Sequence, residues 1–381
     1  MPTKVLFVDD DPKVLAGIRR QLHRKVAIET AESGSAGLEA MHARGPFSVV
    51  VTDYRMPEMN GIEFLARIRQ AAPETVRMLL TGSADLQAAI QAVNHGNIFR
   101  FLTKPCQPDE LMSALDSGIK EYHRTHKERK FSRRTRRWLN EAMEVQQGLM
   151  PTSAPDLEGI DICGRSIYCD QTGGDYYDYF EKEASLGRNL CLAVGDVSDH
   201  GLPSALLMTT ARGFLRERAS RPGSVASIVA SVNRQLTRDV KSSGRFMTLF
   251  FGEIDLVDSS IRWARAGHDP GWLHDPGTGA FAELDGQGGL PLGVFEDAAY
   301  VEHYRKLAPG QIIAIGTDGI WEARNRAGAM FGKHTLQGII REHAERPAAE
   351  IVQRVLEALD RFLSPLRIQD DATIVVIKME R

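Results

Sequence analysis

Residues 190–201 read L-C-L-A-V-G-D-V-S-D-H-G, an apolar run of strand length that stops on a glycine and then presents Asp196. A strand that delivers a carboxylate at its end, among small neighbours that let other backbone approach, is built for a site rather than for a core. Three further motifs share this character: G-G-D-Y-Y-D around Asp175, G-T-D-G-I-W-E around Asp318, and Q-D-D-A-T around Asp370 and Asp371. Like charges brought together raise one another's pKa, so several carboxylates share a site only when cations neutralise them. Carboxylate, carbonyl and water are ligands for magnesium or manganese rather than zinc.

Around these motifs, strand-length apolar runs at 190–194, 248–254, 312–315 and 373–377 stand beside helical stretches at roughly 203–217, 224–240 and 347–363. This texture predicts an α+β domain over 151–381 with mostly antiparallel strands. Residues 121–150 contain only Gly148 and no proline, which predicts one helical linker. Trp138, Ala142, Val145 and Leu149 are spaced four, three and four, a heptad-like seam. That seam either pairs with a second copy or packs on its own domain. The run 127–137 holds seven lysines or arginines, with Phe131 the one aromatic among them. Nucleic-acid binding wants aromatic platforms between its cations, so the run reads as a solvated linker.

Residues 1–120 carry short apolar runs at 4–8, 26–30, 48–52, 76–80 and 98–102, separated by segments of helical period. Five strands alternating with helices predict a doubly wound α/β domain with a five-stranded parallel sheet. Ligands bind at the carboxyl ends of such strands, and those ends carry Asp9, Asp10, Asp53, Thr81 and Lys104. A net charge of -3 implies neither a nucleic-acid nor an acidic partner, and four cysteines without C-x-x-C spacing suit a reducing compartment. The first residues leave no room for a leader, and no apolar run approaches the ~20 residues that span a bilayer. The expectation is a cytoplasmic protein with no membrane partner.

Over residues 1 to about 120, the stretches L-F-V-D-D-D-P, V-V-T-D-Y-R-M-P-E-M-N-G, L-L-T-G-S-A-D and F-L-T-K-P resemble the receiver domain of bacterial response regulators. The resemblance implies phosphorylation of Asp53 by an upstream histidine kinase. It implies Mg2+ held by Asp10, Asp53 and the carbonyl of Arg55, with Asp9 acting through water. Lys104, followed by a cis Pro105, would neutralise the phosphoryl group, and Thr81 and Phe101 would form the switch. A carboxylate attacks phosphorus only when their mutual repulsion is cancelled, which magnesium and Lys104 would do.

From about Val145 onward the aspartate motifs, together with V-Q-Q-G-L-M-P, A-G-H-D-P, G-L-P-L-G-V and D-D-A-T-I-V-V, resemble the metal-dependent (PPM) protein phosphatases. The class is the bacterial SpoIIE/RsbU type, related to protein phosphatase 2C, a β-sandwich flanked by helices. The resemblance implies two Mn2+ or Mg2+ ions, with Asp196 bridging them and the Val197 carbonyl as an additional ligand. Asp318 and Asp370 would complete the first ion, and Asp175 would serve the second through water. Asp371 would stand behind these ligands, and His200 would be either a proton donor or a structural histidine. The implied reaction is hydrolysis of phosphoserine or phosphothreonine by water activated between the ions. Asp199 stands where the family motif G-D-V-S-G-H-G has glycine. It is either a structural replacement, since Asp tolerates left-handed backbone, or a modifier of metal affinity.

Together the two halves imply a homodimeric response regulator whose Asp53 controls a phosphatase, with a phosphorylated STAS-type anti-sigma-factor antagonist as substrate. The competing expectation is an adaptor that binds a sigma factor or regulatory partner without catalysis.

Overall fold

The computed structural model describes residues 3–22, 26–82, 98–155, 157–184, 187–241 and 243–380. The chain divides into two compact units, Met1–Arg136 and Arg137–Arg381. The first contains β1 (Lys4–Val8), α1 (Pro12–Leu22), β2 (Ala27–Ala31), α2 (Gly34–Arg44), β3 (Val49–Asp53), α3 (Gly61–Ala71), β4 (Val76–Gly82) and β5 (Arg100–Lys104). The five strands form one parallel sheet in the order β2-β1-β3-β4-β5. Alternate residues of the central strands feed two cores. Val5, Phe7, Val49 and Val51 pack with Leu15 and Leu115, while Leu6, Val8 and Val50 pack with Phe64 and Leu65. Burial on both faces is why these strands read as unbroken apolar runs. Strand β1 has the expected bounds, β2, β3 and β5 lie one or two residues later and β4 runs on to Gly82, so Asp53 and Lys104 are the last residues of β3 and β5. The expected fourth helix and Ser83-Ala84-Asp85 fall outside the described residues.

Helix α4 (Pro108–Gln147) is 40 residues long and starts with Pro108, Asp109 and Glu110. Proline and acidic residues suit a helix N-terminus, where one amide has no partner and the dipole is positive. The predicted linker helix is therefore the last part of a longer helix, which stops at Gly148. Its basic run is solvent-facing at Lys127, Arg129, Lys130, Arg134, Arg136 and Arg137. In the second unit, Trp138 and Val145 are 51% and 69% exposed, whereas Gln146 and Met150 are buried. The face of α4 that packs on this unit is thus one residue away from the Trp138–Val145 seam.

The second unit is a sandwich of two five-stranded sheets, β13-β10-β9-β8-β7 and β12-β11-β14-β15-β6, antiparallel throughout. The strands are β6 (Ile160–Ile167), β7 (Tyr176–Ala184), β8 (Gly187–Val197), β9 (Met247–Asp255), β10 (Ser260–Ala266), β11 (Gly271–Asp275), β12 (Ala280–Leu284), β13 (His303–Lys306), β14 (Ile312–Gly316) and β15 (Ala372–Met379). Helices α5 (Leu202–Ala219) and α6 (Val225–Val240) pack with the first sheet. The one-turn α7 (Asp318–Trp321) precedes α8 (Lys333–Glu342) and α9 (Ala348–Leu363), which cover the second. Strand β14 shows the layering: Ile313 and Ile315 join the inter-sheet core, while Ile312 and Ala314 face Leu336, Ile351 and Val355. Helix α8 and strand β13 escaped the sequence reading because each buries little: Leu336 and Ile340 are the buried residues of α8, and none of H-Y-R-K is buried.

Candidate active site

The receiver unit gathers its acidic residues at the carboxyl ends of β1 and β3. Asp9 and Asp53 are almost fully buried, Asp10 is exposed, and Lys104 reaches across from β5. Its Nζ lies 2.7 Å from Asp9 Oδ2 and 2.6 Å from Asp53 Oδ1. Burial pushes the Asp53 carboxyl above its ordinary pKa, and Lys104 pulls against that shift. Burial also opposes the Lys104 charge, but its bonds to Asp53 and Asp9 prevail and hold it above the usual lysine value. The other Asp53 oxygen accepts from the Arg55 amide at 3.2 Å. Thr81 is buried and pairs in register with Thr103, next to Gly82 and Lys104. Phe101 is half-buried on β5, and the Lys104-Pro105 peptide is cis. A β-carbon at Gly61 would strike the Asp53 carbonyl oxygen, so the glycine of M-N-G permits a close approach.

The phosphatase-like unit assembles its carboxylates from four elements. Asp175 enters β7, Asp196 lies near the end of β8, Asp318 starts α7, and Asp370 and Asp371 precede β15. Asp196 and Asp318 line a cavity of about 190 Å³ with Thr248, His268, Asp269 and Thr317. Asp318 and Asp370 line a neighbouring one of about 240 Å³. Burial, then Asp318, Asp370 and Asp371, push the Asp196 carboxyl up to about 8. Asp175 is buried outright and displaced well upward, first by burial and then by Asp196. Asp318, at the solvent edge, is raised by partial burial and then by Asp370, Glu322 and Asp269. Every charge named in these shifts is another carboxylate.

Asp371 turns inward from this cluster. It accepts from the Cys169 amide at 2.8 Å and the Gly174 amide at 2.7 Å, and its own amide donates to Asp370 at 2.9 Å. This one side chain therefore fastens the G-G-D loop to the D-D turn. A β-carbon at Gly319 would collide with the Asp371 carbonyl, so the D-G of G-T-D-G marks a backbone crossing rather than a hairpin. Asp199 has φ +65 and a 71% exposed side chain, 3.7 Å from Arg245. It occupies the left-handed conformation that the family's glycine would take, and its carboxylate faces a cation. His200 is exposed and bonds Asp170 at 2.8 Å.

Three contributors lie inside motifs quoted from the sequence, G-T-D-G-I-W-E, A-G-H-D-P and V-Q-Q-G-L-M-P, which gave them no role of their own. Thr317 donates to Asp175 Oδ2 at 2.7 Å and accepts from the Thr373 amide at 2.9 Å, tying β14 and β15 to Asp175. His268 donates from Nε2 to the Gly316 carbonyl (3.1 Å) and accepts at Nδ1 from Thr248 (2.8 Å). A carbonyl can only accept, which fixes the tautomer. Burial drops this histidine to about 4, so it is a neutral bracket between β9, whose Thr248 pairs with Asp196, and the end of β14, two residues before Asp318. Gln146, near the end of α4, is buried and makes two bonds to Gly173: Nε2 donates to the carbonyl at 2.7 Å, and Oε1 accepts from the amide at 3.2 Å. The linker helix thereby grips the backbone two residues before Asp175.

This architecture agrees with comparison to known proteins. Residues 187–380, half of the chain, match the family described as Stage II sporulation protein E (SpoIIE). The chain belongs to the SpoIIE family. Residues 5–116 of this SpoIIE-family chain match the response regulator receiver domain. Phosphoserine phosphatase RsbU of Bacillus subtilis is 28% identical over 284 residues, covering 72% of this chain and 82% of RsbU. The receiver half is also similar to the hydrogenase transcriptional regulatory protein HoxA of Cupriavidus necator, 34% identical over 30% of this chain and 24% of that one. The SiaA-PP2C domain of Pseudomonas aeruginosa shares the fold of the second unit, with a TM-score of 0.56 and 24% identity over 65% of this chain and 98% of that domain. The chain is thus a receiver domain followed by a PP2C-type phosphatase domain. Among the described residues, no helix is long and apolar enough to cross a membrane.

Proposed function

We propose that this chain is a divalent-metal-dependent protein serine/threonine phosphatase whose activity is set by phosphorylation of Asp53. The observation that carries this reading is the unbalanced negative charge at Asp175, Asp196, Asp318 and Asp370. Carboxylates pushed up by burial and by one another, Asp196 to about 8 and Asp175 well above its ordinary value, form a stable site only around cations, and their all-oxygen donor set suits Mn2+ or Mg2+. Asp175 Oδ1 is buried without a hydrogen-bond partner, as befits a group kept for a ligand. Asp196, Asp318, Asp370 and the Val197 carbonyl would hold two ions, with Asp175 acting through water. Such ions, when bound, act as Lewis acids and lower the pKa of coordinated water. The protein's own part is positional: Thr317 fixes the Asp175 carboxylate, His268 spaces the strands, and Asp371 locks the loops. His200 is exposed and bonded to Asp170, which favours the structural one of the two roles expected for it.

The receiver half would take its phosphoryl group from a histidine kinase. Asp10, Asp53 and the Arg55 carbonyl, with Asp9 through water, would hold Mg2+, and Lys104 would meet the phosphoryl oxygens. We place the substrate among phosphorylated STAS-type anti-sigma-factor antagonists, in keeping with the similarity to RsbU. We further propose that the protein works as a homodimer through the Trp138–Val145 seam, with the Gln146–Gly173 bonds carrying the signal to Asp175. The test is phosphate release from a phosphoserine STAS protein in Mn2+, with the receiver either free or held in its activated form by beryllofluoride. The reading predicts metal-dependent turnover that differs between the two states. Absence of turnover in both states at saturating Mn2+, with partner binding retained, would establish an adaptor instead.

A further inference from the structure

A second group of ligand atoms lies outside the carboxylate centre. Cys169 and Asp170 sit between β6 and β7, and His200 sits between β8 and α5. The Cys169 Sγ, an Asp170 carboxylate oxygen and a His200 ring nitrogen all lie within 4.8 Å of one another. We propose that Cys169, Asp170 and His200 form a binding site for one zinc-class transition-metal ion, separate from the oxygen-only centre and independent of the activity proposed above.

The donor types separate the two sites. Thiolate, imidazole and carboxylate are zinc ligands with bonds of about 2.0–2.3 Å, whereas Mg2+ and Mn2+ favour oxygen. Atoms already within 4.8 Å need only small side-chain movements to close on an ion. Two backbone restraints organise the group before any ion arrives. The Cys169 amide is held by Asp371 at 2.8 Å, and the left-handed turn at Asp199 brings His200 back to within 2.8 Å of Asp170. The Asp170 and His200 side chains are 46% and 60% exposed, so water can fill a fourth coordination position. Asp371, Asp170 and Asp370 give the locality a negative field that draws a cation. On binding, the Cys169 S–H bond is replaced by a sulfur–metal bond and the proton leaves to solvent. No electron is transferred. An ion there would join the loop leading to Asp175 with the loop leaving Asp196, fixing the two sides of the catalytic cleft against each other.

Neither Asp170 nor His200 needs an ion to be satisfied, since they already bond each other; the thiol is the discriminating ligand. The test uses the full chain, stripped by chelator, kept reduced, and supplied with excess Mg2+ to load the oxygen sites. Co2+ is then titrated as a spectroscopic substitute for zinc. The expected result is a thiolate-to-cobalt charge-transfer band that saturates at one equivalent and disappears when Zn2+ is added. Cys169→Ser should remove the band, Cys163→Ser should keep it, and Asp170→Asn and His200→Ala should each weaken binding by about tenfold or more. Asp318→Asn, in the oxygen centre, should leave the band intact. The proposal fails if the wild type shows no band, if the band survives in a folded Cys169→Ser variant, or if Asp318→Asn abolishes it.

Discussion

The two acidic sites of this chain solve the same electrostatic problem in opposite ways. At the receiver site, two buried aspartates share a lysine, and Lys104 within 2.7 Å of both supplies a permanent counter-charge. The phosphatase centre holds more carboxylates, and Asp318, Asp370 and Asp371 add repulsion at Asp196 instead of relieving it. One site therefore folds with part of its charge already countered by a lysine, and the other leaves its whole charge to be countered from solution. The difference follows from what each must do. On the proposed function, a site that receives a phosphoryl group would have to stay poised before the donor comes, whereas a site for two cations would have to avoid filling their places with its own.

Removing a carboxylate should expose this contrast most sharply. Asp196→Asn is expected to abolish phosphate release while raising the thermal stability of the phosphatase unit in chelator, because it relieves repulsion. Residual turnover near the wild-type rate at saturating Mn2+ would break the comparison. The pH dependence has the matching sign. A folded-state pKa of about 8 for Asp196, against an ordinary 3.8, means that the folded state binds the extra proton between those values. Metal-free stability should therefore fall as pH rises from about 4 to about 8, by at most roughly 1.4 kcal/mol per pH unit for one such group. Divalent cations should flatten that slope, as calorimetric melts with and without Mn2+ would show.

The same cut made in the receiver should act in reverse. Lys104→Ala strands two buried carboxylates and should cost about 2 kcal/mol of receiver stability in the absence of Mg2+. Asp53→Ala should spare stability better while eliminating the acyl phosphate formed with acetyl phosphate, read by mass spectrometry, and leaving basal phosphatase activity. A persistent stoichiometric acyl phosphate would mean that another residue accepts the group.

Between the two sites, Gln146→Leu replaces an amide that makes two buried bonds to Gly173. It should destabilise the phosphatase unit by about 1–3 kcal/mol through the unmet backbone groups. It should also reduce the difference between free and beryllofluoride-held states more than it reduces basal turnover. An unchanged ratio would make Gln146 a mere anchor. The smallest effect belongs to Asp199→Gly. Restoring the family's glycine at φ +65 should shift stability by under about 1 kcal/mol and leave Mn2+ dependence unchanged, because the Asp199 carboxylate faces Arg245.

Much of this was legible in the sequence, for reasons that differ by region. The strands around Asp53 and Asp196 are buried on both faces, so their apolar runs announce themselves, and a carboxylate at the end of such a run stands out. The brackets around the centre were not legible. Thr317, His268 and Gln146 sit inside quoted motifs, but they act through contacts between residues far apart in the chain, which the motifs alone do not show. Asp371 lay in plain view as the second half of D-D, but its bonds to the Cys169 and Gly174 amides depend on how three loops meet. Helix α8 was missed because too few of its side chains are buried to set a period.

The basic run on α4 has one more consequence if two copies pair in parallel along the seam. Residues 127–137 hold seven lysines or arginines against Glu128 alone, with Arg129 and Arg137 paired to Glu74 and Glu141. The net positive charge of each helix would then lie near that of the other, at the roughly 8–10 Å typical of packed helices. Mobile ions screen charges beyond about 8 Å at physiological ionic strength, and more completely in stronger salt. Association of the chain should therefore tighten as salt is added, contrary to interfaces held by ion pairs. Sedimentation at two salt concentrations would show it. The saltiness of the medium would then bias the same equilibrium that we propose Asp53 controls, making the linker responsive to ionic strength as well as to phosphorylation.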